Sequence, residues 1–428
     1  MAAAGLFLGL SCDGGVSDLP LDQLAAAGDS LALGRRIRAE CRRAEDQETC
    51  YQDRFVPLAR AGHVRIALGA LAALARSEHA VQANGHVYTH VIGISAWQPG
   101  KDIAATFAQC TVLFQSGCYH GVIQSYLTDG AGLDSAKVAN LCDVIEGDTP
   151  RLLLRFQCAH GLGHGLEMAL QWELPRALEG CDWLVDPWDR QSCYGGAFME
   201  NAVAGEQRHT AARVIGDRAA GGDEPDGDAQ AHRHGPDPGT IRFKLRDTTD
   251  LLYPCNAVAY RYVPSCYVLQ GGLILRLVGF DFDKATAGCD LAPESYRHMC
   301  YVSIGTSVAG YTVLDARRST ELCGHGDPDY QPWCFVGAAK NFVDVTTDAG
   351  DGLAFCRQVP AGKNRRQCYV AVGEHMLILF PNDSAARSRE CATAPPGDRE
   401  DCRYGALLAE APEGLPILPP AIARQLNP

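Results

Sequence analysis

Cys289-Asp290-Leu291-Ala292-Pro293-Glu294-Ser295-Tyr296-Arg297-His298-Met299-Cys300-Tyr301 is answered, 34 residues later, by Cys323-Gly324-His325-Gly326-Asp327-Pro328-Asp329-Tyr330-Gln331-Pro332-Trp333-Cys334-Phe335. Each stretch sets two cysteines around turn formers and puts an aromatic directly after the second. The same layout recurs along the chain as nine couples: Cys41 and Cys50, Cys110 and Cys118, Cys142 and Cys158, Cys181 and Cys193, Cys255 and Cys266, Cys289 and Cys300, Cys323 and Cys334, Cys356 and Cys368, and Cys391 and Cys402. First cysteines follow one another at 69, 32, 39, 74, 34, 34, 33 and 35 residues. The two long intervals are near double, as if each held a unit without cysteines. Counted that way, 350 residues hold ten steps of 35. That period is the size of one helix–turn–helix unit of a solenoid.

Seven of the nine inter-cysteine segments contain Pro, which ends one helix and lets another begin. An aromatic follows the second cysteine in seven couples: Tyr51, Tyr119, Tyr194, Tyr267, Tyr301, Phe335 and Tyr369. Three positions after that cysteine a small residue recurs (Gly121, Gly161, Gly196, Gly337, Gly405, Ser303, Ala371), where a neighbouring backbone can come close. Each unit therefore reads as a helix A ending near the first cysteine, a Pro/Gly turn, and a helix B starting near the second. The expected fold is all-α, a right-handed αα-hairpin solenoid of about 35-residue repeats, each stapled by a disulfide.

This period and hairpin layout resemble those of Sel1-like and tetratricopeptide-type αα repeat proteins, in their disulfide-bearing secreted versions, over about residues 35–410. The resemblance implies a partner-binding role, with a protein, peptide or glycan held on a concave face.

Nineteen cysteines in 428 residues also speak to compartment. A cytosolic protein keeps its thiols reduced, and zinc or iron–sulfur sites want spacings such as C-x-x-C, which is absent here. Pairing within each couple is the simplest connectivity; pairing between neighbouring couples stays open. Each short closed loop contributes roughly 2–4 kcal/mol in the chain-entropy model. The reading is an exported protein.

Cys12 is the odd cysteine. It follows the apolar run Leu6-Phe7-Leu8-Gly9-Leu10-Ser11, of signal-peptide type. Ser11-Cys12 resembles the end of a bacterial lipobox, which implies lipidation of Cys12 and a membrane partner through that anchor. Gly9 stands where Leu is usual, and no Lys or Arg precedes the run, which points to a start lacking its basic region. The alternative is an ordinary cleaved signal. The expected organisation is a signal remnant over 1–12, a tether over 13–34, N-terminal repeats over 35–201, an insertion over 202–250, a C-terminal array over 251–410 and a Pro-rich tail over 411–428. The insertion, with Gly221-Gly222-Asp223-Glu224-Pro225-Asp226-Gly227-Asp228, has the composition of a disordered loop that would separate two lobes. His232 and His234 within it read as solvated loop residues.

A formal charge of −13 argues against nucleic acid as a general partner. No G-x-S-x-G elbow, H-E-x-x-H, P-loop or haem-attachment motif is present. Chemistry is carried by histidine. Counting the second cysteine as position 0, Cys118-Tyr119-His120 has His at +2, and Cys158-Ala159-His160-Gly161-Leu162-Gly163-His164 has His at +2 and +6. The cysteine-free unit should start one period earlier, near Asn84, which gives His86 at +2 and His90 at +6. Histidines four apart share a helix face and form a two-point ligand for a divalent metal. His86, His90, His120, His160 and His164 are thus the candidate ligands, with Zn, Cu or Fe suited to a nitrogen-only set. Adjacent helix axes lie roughly 8–10 Å apart, so sites shared by neighbouring units are easier to build than one spanning two steps. Glu200, at +7 of the following unit, is a candidate carboxylate ligand or general base. The competing reading makes these histidines packing residues beside glycine. Two functions therefore stand: a metalloprotein or metalloenzyme of the cell envelope, and a non-catalytic binding scaffold.

Overall fold

A computed structural model describes residues 19–129, 133–146, 152–204 and 243–414. Cys12, the first part of the expected tether, the bulk of the 202–250 segment with His232 and His234, and the tail from 415 lie outside the described residues. Among the described residues the chain is helical throughout, with no β-strand.

All nine couples close within themselves, so the alternative of pairing between neighbouring couples does not occur. Cys41 bonds Cys50, Cys110 bonds Cys118, Cys142 bonds Cys158, Cys181 bonds Cys193 and Cys255 bonds Cys266. In the C-terminal part Cys289 bonds Cys300, Cys323 bonds Cys334, Cys356 bonds Cys368 and Cys391 bonds Cys402. Cα–Cα separations run from 5.4 to 5.7 Å. Cys50 is the half-buried one, while Cys266, Cys368 and Cys402 sit in the core with the other second cysteines. Nine disulfides place the protein in an oxidising, extracytoplasmic environment. No helix among the described residues is long and apolar enough to cross a membrane.

The backbone of the molecule is a single row of B helices. Its members are Gln47–Arg60, Gly85–Ala96, Gly117–Leu127, Leu152–Ala169, Pro187–Ala204, Val263–Leu277, Glu294–Tyr311, Gln331–Thr346, Lys363–Leu379 and Arg399–Gly405, each packed on the next. A helices such as Ser30–Cys41, Leu174–Cys181, Phe282–Asp290 and Ala349–Gln358 end at or near the first cysteine of a couple. The disulfide then fixes the angle at which helix B leaves the turn.

Local chemistry explains where six of the A helices start. Asp102, Asp281, Asp315, Asp348 and Asp383 each stand eight residues before a first cysteine, and each side chain accepts a backbone N–H of the helix it opens. Asp29 does the same for Ser30–Cys41. Such a cap satisfies one of the four orphan amides of a helix N-terminus and is worth about 1 kcal/mol. The aromatic after the second cysteine plugs the hairpin. Tyr51, Tyr267, Tyr301, Phe335 and Tyr369 are buried. The hydroxyls of Tyr194 and Tyr301 donate back to Asp182 and Asp290, the residues just after the first cysteines of their couples. Burying such a ring contributes roughly 2 kcal/mol.

Two expectations need correction. The 69-residue interval does contain a cysteine-free hairpin, Val64–Ala75 with Gly85–Ala96. Among the described residues the 74-residue interval adds no member to the row, and Pro187–Ala204 packs directly against Val263–Leu277. The row also runs on where two lobes were expected. Tyr262 donates to Asp182 at 2.7 Å, Asn201 Nδ2 donates to the Leu245 carbonyl at 3.1 Å, and the Tyr194 and Tyr262 rings meet edge to face. Residues 202–204 finish a helix, and 243–250 dock beside the row, with Phe243 stacked on Tyr253.

Candidate metal centre

Glycine sets how near the B helices lie. A Cβ placed on Gly93 would stand 2.1 Å from the Cys118 carbonyl oxygen, and one on Gly121 would stand 2.2 Å from that of His90. Gly163 and Gly196 meet the carbonyls of Cys193 and His160 at 2.0 and 1.9 Å in the same sense. Neighbouring backbones thus touch where any side chain would hold them apart.

The same contacts fix the register. Gly163 is at +5 and meets the carbonyl at position 0 of the next unit; Gly196 is at +3 and meets the carbonyl at +2 of the previous one. Gly93 and Gly121 repeat that pairing only if position 0 of the cysteine-free unit is Tyr88. The expected start at Asn84 was one helical turn early, because no cysteine marks it. His90 is therefore the +2 residue, in line with His120 and His160, while His86 lies one turn before it and His164 one turn beyond.

All five rings come together. His86 and His90 have centroids 4.6 Å apart, His90 and His120 5.3 Å, His120 and His160 4.9 Å, and His120 and His164 5.1 Å. His90 and His164, two steps apart in the row, also meet at 5.3 Å. The glycine contacts shorten those steps enough for long side chains to span them. Two triads arise, His86–His90–His120 and His120–His160–His164, each offering three nitrogens within 4.8 Å of one another.

One nitrogen of every ring is anchored. His86 Nδ1 faces the Phe114 carbonyl at 2.8 Å, His90 Nδ1 the Gln124 Oε1 at 2.9 Å, and His160 Nδ1 the Ser192 carbonyl at 3.2 Å. His120 Nε2 faces Gln157 Oε1 at 2.8 Å, and His164 Nδ1 faces Glu200 Oε2 at 2.8 Å. Each partner is an oxygen acceptor, so each ring donates there, and a ring in its neutral form keeps a lone pair on its other nitrogen. His90 Nε2 and His86 Nε2 then face each other at 3.1 Å, two lone pairs with no proton between them. His120 Nδ1 and His164 Nε2 are buried without a hydrogen-bond partner. Two ligands of a tetrahedral ion with bonds of about 2.05 Å lie about 3.3 Å apart, close to the separation found here.

Burial is the first cause of the electrostatics. It lowers His86 to about 4, opposed by its bond to the Phe114 carbonyl. It holds His90, His120 and His160 well below the ordinary histidine range, and the neighbouring imidazoles push further in that direction. Those four rings are therefore held toward the neutral form that a metal ligand requires.

Glu200, expected as ligand or base, sits one layer behind the rings. It is buried, and its Oε2 accepts from His164 Nδ1 and from Gln124 Nε2 at 3.1 Å. Gln124 thereby links His90 to Glu200, and Glu200 to His164, so one network orients rings of both triads. Gln124, Gln157 and the Phe114 carbonyl escaped the sequence reading; Gln124 occupies the +6 slot that His164 fills in the next unit, which is the signal that would have found it. Glu167, on the same helix as His160 and His164, is a second buried carboxyl, and burial followed by the charge of Glu200 raises it well above the carboxylate range. Compared with family models, with curated proteins and with solved structures, the chain shows no match.

Proposed function

We propose that this chain is an exported helical-repeat metalloprotein that holds one divalent transition-metal ion in the five-histidine cage. The observation that carries this reading is the pair of facing lone pairs on His86 and His90, with three more anchored imidazoles around them. Buried polar nitrogens without partners are costly, and a cation relieves several of them at once. A single ion fits the charge, because Glu200 is the one carboxylate hydrogen-bonded to a ring of the cage among the described residues. It also fits the ligand count: His120 belongs to both triads but has only Nδ1 to offer, its Nε2 being committed to Gln157.

The donor set favours Zn, Cu or Fe over Mg or Ca, which prefer oxygen. Such an ion with three imidazole ligands and an open position supplies Lewis acidity and activates bound water. On this reading Glu200 and Gln124 orient the ligands and offset the charge of the ion. The reading extends to a right-handed solenoid of the Sel1-like or tetratricopeptide kind, supported by the 35-residue period, and to a lipid anchor at Cys12, supported by the apolar run before it.

Untagged protein, dialysed and analysed for metals, should carry close to one equivalent of Zn, Cu or Fe. His160→Ala with His164→Ala should abolish retention while helical content and melting stay near wild type. Wild type without stoichiometric metal, together with unfolding of the double variant, would make the histidines packing residues and leave a binding scaffold as the function.

A further inference from the structure

We infer that Asn341, in the C-terminal half of the row, is a positioning residue for the metal centre, acting through Gln115 and Phe114; this rests on the metal reading above. Phe114, Gln115 and Ser116 are three successive non-glycine residues with φ of 49, 55 and 64°. L-residues avoid that region, and a run of three persists only where the surroundings hold it. The Ser116 amide bonds the Val112 and Leu113 carbonyls, and the Phe114 ring lies where any side chain on Gly85 would be, 2.2 Å from a Cβ there. The remaining tie is long-range. Gln115 Nε2 donates to Asn341 Oδ1 at 2.5 Å across 226 residues of sequence.

Asn341 is itself fixed. It is buried in helix Gln331–Thr346, and its Nδ2 donates to the Thr306 carbonyl at 2.9 Å, which leaves Oδ1 as the acceptor. It stands at +7 of its unit, the slot that Glu200 fills in the unit of Cys193. At the other end of the loop, the Phe114 carbonyl takes the Nδ1 proton of His86. That bond decides which nitrogen of His86 keeps a lone pair and where the ring points. The chain Thr306–Asn341–Gln115–Phe114–His86 therefore runs from the C-terminal repeats into the outer triad. The inner triad of His120, His160 and His164 has its own anchors and does not use this tie.

The test titrates the full-length, metal-free protein with Zn(II) alone. Asn341→Ala and Gln115→Ala should each weaken binding about tenfold, the lower end for loss of an orienting partner, with stoichiometry unchanged. In a His86→Ala background neither should weaken it further, since the route ends at that ring. Unchanged affinity in both variants, or an equal loss with and without His86, would overturn the inference. Should wild type bind no Zn(II), the proposed function fails by itself, and the tie is judged by amide hydrogen exchange. Faster exchange at Ser116 and Tyr119 in Asn341→Ala then supports it, and unchanged rates sink it.

Discussion

One slot of the B helices carries histidine in three successive units and valine in four later ones. At +2 of the B helices stand His90, His120 and His160 in the N-terminal part, and Val268, Val302, Val336 and Val370 in the C-terminal part. Backbone geometry is shared: Gly121 and Gly196 meet the carbonyls of His90 and His160 as Gly337 and Gly405 meet those of Val302 and Val370, at 1.9 to 2.2 Å. Four units with valine show that the fold does not need histidine there. Val336 and Val370 are buried there without a polar cost, Val302 is half-buried and Val268 exposed, whereas each buried imidazole must find partners for two nitrogens. The N-terminal part accepts that cost three times in succession and surrounds it with acceptors. The triads that result could hold a metal ion.

Erasing the difference should have the largest effect. The triple variant His90→Val, His120→Val, His160→Val copies the C-terminal column and should lose stoichiometric metal entirely, read by elemental analysis, with helical content kept by circular dichroism. Retention of a full equivalent would show that the column is not the site.

Acid should separate the same two proteins when metal-free. His90, His120 and His160 are held well below their unfolded value near 6.5, and His86 is lowered to about 4. Below pH 6.5 the unfolded chain binds protons that the folded cage refuses, so stability falls as pH drops from about 6.5 toward 4. Each such histidine contributes up to about 1.4 kcal/mol per pH unit in that window. Denaturant unfolding at pH 7 and pH 5 should show a clearly smaller loss for the triple-valine variant than for wild type. Equal slopes would mean the rings are not held neutral by burial.

Next comes the feature both parts share. Removing Cys289 and Cys300 together, or Cys110 and Cys118, should each cost about 3 kcal/mol from the short loops closed. Only the second pair borders the loop that carries Phe114, so only its loss should also weaken metal binding. Non-reducing peptide maps should give within-couple links throughout; a link from Cys110 to Cys142, or from Cys266 to Cys289, would break the shared hairpin plan.

The smallest effects are expected at glycine. Gly305→Ala and Gly121→Ala both force a methyl against a backbone carbonyl, at 1.9 and 2.2 Å, and should destabilise by about 1–3 kcal/mol. Gly121→Ala displaces His90 as well, so it alone should lower metal affinity. A matched loss of affinity in Gly305→Ala would argue for a global effect.

Much of this was open to reading in the residues, because its causes are local. A cysteine couple spanning a Pro/Gly turn is a hairpin with its own staple, and the 35-residue spacing repeats it, so helix content, the cysteine couples and the five histidines follow from short-range pattern, while the pairing itself was settled by the fold. The aspartate eight residues before a first cysteine was equally present and went unread. Glycine at +5 was another such signal, and it would have placed Tyr88, in place of Asn84, at position 0 of the cysteine-free unit. Other features needed the folded chain. That His90 and His164 touch across an intervening helix depends on how closely glycine lets backbones approach, a sum of small displacements over several helices. That Pro187–Ala204 meets Val263–Leu277 directly, across the 74-residue interval, was also decided by the folded chain. Glu200 became an orienting carboxylate because packing set His164 Nδ1 and Gln124 Nε2 against it. Gln115 and Asn341 share no local motif; their contact across 226 residues of sequence is a property of the folded chain alone.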